Sequence, residues 1–166
     1  MSGVVVVDTS VAIKWVIPES DSATADALLQ TWRTQGTTLI APPLFAYEVA
    51  NTLHQQVRKG KISLDEARKS LSQLLDPNQG PVLMFSPDPA INLALSMRAL
   101  ELAQQHGLPA TYDAHYLALA EREGCEYWTA DERLWNAVKV RLPWVRWLGE
   151  LSAPTAAPPP PPPAAP

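Results

Sequence analysis

At 166 residues the chain is long enough for one domain with a sizeable core and too short for two ordinary ones. Its single cysteine, Cys125, excludes an internal disulfide framework and favours a reducing compartment, and its formal net charge of −4 excludes the global basic field typical of nucleic-acid binders. No eighteen apolar residues run together and no basic region precedes the N-terminal valines, so the expectation is a cytoplasmic protein without membrane span or secretory leader.

Residues 4–7, VVVV, form a β-branched run without polar alternation. That is the pattern of a strand buried on both faces at the centre of a parallel sheet. The run meets Asp8, Thr9 and Ser10 at once, and a short helix is expected over 10–16, stopped by Pro18. A second helix is expected from a cap at Asp21 or Ser22 through Arg33, with Ala25, Leu28, Leu29 and Trp32 at helical spacing and Gly36 as its stop. TTLIA, 37–41, reads as a strand, and Pro42 and Pro43 open a long helix ending at Gly60. Ser63 with Glu66 three residues later is a capping box for a helix over 64–75.

The strand PVLMF, 81–85, follows, then a helix over 90–106 with Gly107 just beyond it. A helix over 112–123 ends at Gly124, ahead of a strand at 126–129, a short helix at 132–138 and a last strand around 145–148. Strands alternating with helices predict a layered α/β fold with a mainly parallel sheet, one domain over residues 1–151. Residues 152–166, rich in proline and alanine and lacking apolar periodicity, read as a polyproline-type or disordered tail.

Four acidic residues hold equivalent places in this plan. Asp8 ends the first strand, Glu48 lies in the first turns after the second, Asp113 starts a helix and Asp131 follows the fourth strand. Ligands of open α/β sheets bind at the carboxyl ends of the strands, where the next helices begin. From Asp113 a helix of about 11 residues travels roughly 16 Å, and a strand of about 5 residues returns roughly 16 Å, so an antiparallel helix and strand bring Asp131 back to the same edge. Taken singly, Asp8, Asp113 and Asp131 are explained as helix caps or dipole partners. Glu48 fits that explanation less well, because it interrupts an apolar surface of Leu44, Phe45, Tyr47, Val49 and Ala50.

Two carboxylates about 4 Å apart repel by about 4 kcal/mol at an effective dielectric of about 20. Lys14 is the only lysine near these motifs, so a divalent cation is the natural counter-charge. All-oxygen ligands select Mg2+ or Mn2+ over zinc, and such a centre suits hydrolysis of a phosphodiester.

DTSVAIKWV, FAYEVANTL, YDAHYLALAEREGC and TADERL, in that order, resemble the motifs of PIN-domain proteins, and most of all the VapC-type toxin ribonucleases of toxin–antitoxin pairs. The similarity spans nearly all of residues 4–148. It implies a three-layer α/β/α sandwich and an endoribonuclease dependent on Mg2+ or Mn2+, usually homodimeric and inhibited by a cognate antitoxin. It further implies in-line attack by an activated water that leaves a 5′-phosphate. Matched residue by residue, Asp8, Glu48, Asp113 and Asp131 are the family's four acids and metal ligands, while Ser10 and Thr129 match supporting hydroxyls. Asn51 belongs to the E-V-A-N pattern, one helical turn after Glu48, in a supporting role.

Two features depart from the family pattern: the proline tail, and the acidic net charge, which leaves RNA to local basic residues. Arg58, Lys59, Lys61 and Arg133 are the candidates for phosphate contacts, although a solvated surface is the ordinary role for each. His115, two positions from Asp113, points away from it on a helix. Neither His54 nor His106 has zinc-like spacing with Cys125, which reads as a small buried hydrophobe. Trp15, Tyr47, Tyr116 and Trp128 read as core or subunit interface. Aspartyl-nucleophile phosphohydrolases also begin with a strand ending in Asp, but they need a second acid where Ser10 stands. The non-enzymatic alternative is a PIN-like binding module without nuclease activity.

Overall fold

The computed structural model describes residues 3–85 and 88–151; the proline-rich tail lies outside them. In chain order the elements are β1 (Val4–Val7), α1 (Thr9–Ala12), α2 (Ser22–Gln35), β2 (Thr38–Ala41), α3 (Leu44–Arg58) and α4 (Leu64–Leu75). Then come β3 (Val82–Met84), α5 (Pro89–His106), α6 (Tyr112–Glu123), β4 (Glu126–Thr129), α7 (Glu132–Val138) and β5 (Val145–Trp147). Single turns of 3-10 helix, Ile13–Trp15 and Leu148–Glu150, extend α1 and follow β5.

The five strands form one parallel sheet in the order β3-β2-β1-β4-β5. β1 is the central strand, with Val6 opposite Ile40 on one side and Tyr127 on the other. Val6 and Val7 are fully buried, as an unbroken valine run requires. Successive residues of β4 point to opposite faces. Tyr127 stacks on Tyr116 of α6, whereas Trp128 meets Trp32 of α2 edge-on. With right-handed crossovers, α2, α3 and α4 cover one face and α5, α6 and α7 the other. The result is the three-layer α/β/α sandwich. Among the described residues no helix is long and apolar enough to cross a membrane.

Three local expectations change. The first helix is not one helix over 10–16 but four α-helical residues followed by the 3-10 turn, because Asp8 caps the chain early and Pro18 lies close behind. Asp21 occupies the N-cap position of α2 without capping it, since its carboxylate pairs with Lys14 instead. α5 begins one residue earlier than expected, with Pro89 at its first position and Asp88 accepting from the Ile91 N–H. Gly124, at φ 62, ends α6 in the left-handed region and turns the chain directly into β4, which fixes where Asp131 emerges.

Candidate active site

The carboxyl ends of β1 and β4 open into a cleft of about 440 Å3 whose lining includes Asp8, Ser10, Lys14, Glu48, Asn51, Asp113 and Asp131. Asp8 leaves β1 and is only 5% exposed. Its Oδ1 accepts from the Ser10 N–H at 2.9 Å, the Ser10 hydroxyl at 2.5 Å and the Val11 N–H at 3.3 Å. Its Oδ2 accepts from the Tyr127 hydroxyl at 2.7 Å. The residue is therefore a helix cap and a cleft carboxylate at once. Burial pushes its carboxyl above the usual range, against the pull of these hydrogen bonds.

Ser10 ties the two strand ends together. Its hydroxyl hydrogen goes to Asp8, and its oxygen accepts from the Ala130 N–H at 2.7 Å. Thr129, fully buried, lies 3.4 Å from the same oxygen and accepts from the Asp131 N–H at 3.0 Å. Asp131 then caps α7, with Oδ1 accepting from the Arg133 N–H at 2.8 Å and the Leu134 N–H at 3.2 Å.

Glu48 stands one turn into α3, half-buried, and Oε2 accepts from the hydroxyls of Tyr116 and Thr9, the latter at 3.1 Å. Burial raises its carboxyl, the two hydroxyls lower it, and the charge of Asp8 raises it again. Asp113, the second residue of α6, accepts no side-chain or capping hydrogen bond among the described residues. Its carboxyl is pushed up to about 6, first by burial and then by the charges of Asp8, Glu48 and Asp131. All four acids thus act within one electrostatic field, and among the described residues none of them forms an ion pair.

By donor type and uncompensated charge this set suits a hard divalent cation. Among the described residues, however, no three of these carboxylates converge as a ready cage for one ion. Charge and chemistry fit; the cage itself is not preformed.

The profile of the PIN domain matches residues 5–140. The chain belongs to the PIN-domain family. It is also 34% identical over 130 residues to Ribonuclease VapC3 of Pyrobaculum aerophilum, covering 78% of this chain and 90% of that protein. The crystal structure of PAE2754 from the same organism superposes with a TM-score of 0.62 at 23% identity, covering 91% of this chain and 95% of that one, and shows the shared fold.

In this PIN domain Asn51 lies on the exposed side of α3 at the cleft. Arg133 is exposed beside the rim, on the first turn of α7. Arg58, Lys59 and Lys61 do not line the cleft. Arg58 sits at the far end of α3, about 15 Å from Glu48 along the helix. His115 turns its Nδ1 to the Thr111 carbonyl at 2.7 Å and hydrogen-bonds none of the four acids among the described residues, although it lies near enough to Glu48 to act on its charge. Cys125 is half-buried rather than a core residue, and Tyr47, 78% exposed in the single chain, is not in the core.

Tyr116, read from sequence as core or interface, and Tyr127 and Thr9, not singled out, are the hydroxyls that orient the acids. A signal existed for two of them. Tyr116 is three residues after Asp113, on the same helix face, and Tyr127 is two before Thr129, on the same strand face.

Proposed function

We propose that this PIN domain is the toxin ribonuclease of a toxin–antitoxin pair, hydrolysing RNA phosphodiester bonds with Mg2+ or Mn2+ in the cytoplasm. The observation that carries this reading is the cluster of four carboxylates without an ion-pair partner among the described residues, in which burial and then the charges of the other three hold Asp113 up to about 6. The similarity to Ribonuclease VapC3 supports RNA as substrate. Asp8, Glu48, Asp113 and Asp131 would hold the cation, with Ser10, Thr129 and Asn51 in support. When bound, a divalent cation supplies activation of the attacking water and offsets the charge that builds on the phosphate.

The chain's own residues do the positioning. Tyr127 and the α1 amides fix Asp8. Tyr116 and Thr9 pin Oε2 of Glu48 and the α7 amides pin Oδ1 of Asp131, while Oε1 and Oδ2 take no hydrogen bond among the described residues. An antitoxin and a second copy of the chain are the proposed protein partners. Leu93, Met97 and Leu100, more than half exposed along one side of α5, supply apolar surface for such an association. The rival reading is a PIN-like binding module without nuclease activity.

Cleavage of RNA by the full chain decides between them. Turnover with Mg2+ or Mn2+, loss on chelation and loss in Asp8→Asn are the expected results. Metal-independent cleavage, or full activity in Asp8→Asn, overturns the mechanism; binding without cleavage establishes the module.

A further inference from the structure

Lys14 ends in the same cleft as the acids yet touches none of them. Its side chain is 10% exposed, and its ammonium is held by Glu19 at 2.6 Å and by Asp21 at 2.8 Å. Among the described residues it is the only cation lining the cleft. An ammonium has three donors. Two face Glu19 and Asp21, and no further acceptor among the described residues takes the third.

The clamp is not a by-product of helix geometry. Asp21 stands at the N-cap of α2, where an Asp side chain ordinarily accepts from the backbone, and it gives up that bond to hold Lys14. A lysine in this cleft without such partners could swing its ammonium toward one of the four carboxylates and cancel the charge that a divalent cation needs. Held by two other acids, it stays in the cleft without occupying the centre.

RNA brings the opposite problem. Phosphates flanking the scissile bond enter an acidic cleft in which Lys14, among the described residues, is the one cationic hydrogen-bond donor, and its third N–H can make a charge-assisted bond to one of them. Resting on the nuclease reading, we propose that Lys14 binds a backbone phosphate of the RNA next to the bond cleaved, while Glu19 and Asp21 hold its ammonium off the catalytic carboxylates. Lys14 is thus a substrate-positioning residue, and the clamp sets its position before RNA arrives.

The test is steady-state cleavage of a single-stranded RNA oligonucleotide by the full chain with Mn2+, at several salt concentrations. Lys14→Met is expected to raise KM about tenfold with kcat little changed. It should also flatten the salt dependence of kcat/KM by about 0.7 in logarithmic slope, one single-strand phosphate contact. Lys14→Arg should restore most of both. The double variant Glu19→Gln, Asp21→Asn frees the lysine, so the Mn2+ concentration for half-maximal rate should rise while KM at saturating Mn2+ stays at the wild-type value or below.

A purely structural strap predicts otherwise: lower melting temperatures in every variant, with wild-type KM and salt slope in whatever folds. If Lys14→Met does not fold, Lys14→Gln, which keeps a neutral N–H donor on a shorter stem, is read in the same way. Wild-type KM and salt slope in the folded Lys14 variant overturn this proposal while leaving the nuclease reading intact. A wild-type chain that cleaves no RNA with either metal overturns both.

Discussion

Glu121 and Asp113 lie on the same helix, about two turns apart, and the protein treats their carboxyls in opposite ways. Glu121 points to the amino end of the sheet, where Arg98 forks across it at 2.6 and 2.9 Å and holds its carboxyl below the usual range. Glu126, at the start of β4, is paired with Arg146 at 2.9 Å. Asp113 points to the carboxyl end, where burial and three other acids hold it high. Asp8 and Glu48 are raised there as well, by burial first. One end of the sheet satisfies its charges at the surface. The other concentrates four acids in a cleft with no ion pair to any of them among the described residues, an arrangement that works against the fold and that the proposed function uses.

The sharpest way to break this contrast is Asp113→Asn. Cleavage is expected to fall on the order of 10³-fold, since several kcal/mol of charge stabilisation depend on the acid set. The same change should raise the melting temperature of the metal-free protein by a few degrees at about pH 7.5. The sign follows from linkage. With its folded value near 6, above the ordinary 3.8, Asp113 contributes stability at low pH that is lost as pH rises through 6. Wild-type melting temperature should therefore fall between about pH 4 and 7, less steeply in the variant. A variant that melts below wild type at neutral pH would sink this account of Asp113.

A saturating cation should act in the same direction without mutation. Mn2+ at about 100 times its Kd adds about 2.7 kcal/mol, or about 5–10 °C for a chain of this size, and chelation should reverse the shift. A melt that ignores millimolar Mn2+ and Mg2+ contradicts a cation site at the rim.

Tyr116→Phe probes the hydroxyls. Removing a donor from Glu48 raises that carboxyl further, so the acid limb of the rate profile should move to higher pH and the neutral rate drop about tenfold. The smallest effect belongs to the other end of the sheet. Glu121→Gln removes a surface pair worth under about 1 kcal/mol, so it should lower the melting temperature by about 1–3 °C and leave cleavage unchanged.

Much of the fold was legible because its signals are local. The valine run marks the central strand, Ser63 with Glu66 marks a cap, and Gly107 and Gly124 mark helix ends; each works through neighbours in the chain. The four acids were legible because each follows a strand or opens a helix, and parallel topology carries all such positions to one rim. The scaffold around them was not. Tyr116 and Tyr127 look like apolar bulk in sequence, and only the packing of α6 against β4 turns their hydroxyls onto Glu48 and Asp8. Asp21 shows a local rule losing to a distant partner, since its capping preference yields to Lys14. Arg58, Lys59 and Lys61 were legible only as a charge cluster, not by their distance from the cleft. They cluster in sequence around one turn, at the far end of the helix that carries Glu48.

The strand order has a consequence for how the protein is made. β1 leaves the ribosome first yet ends at the centre of the sheet, with β2 on one side and β4 on the other. β2 follows soon after, but β4 begins only at Glu126. At about 5–20 residues per second the nascent chain carries β1 for several seconds with one ladder edge unfilled. An unfilled strand edge is a template for association with other chains. Throughout that interval the rim also lacks Asp131, its fourth acid. A chain released before β4 is thus adhesive and incomplete at its rim, and a single late event in synthesis both covers the open edge of β1 and completes the acid cluster.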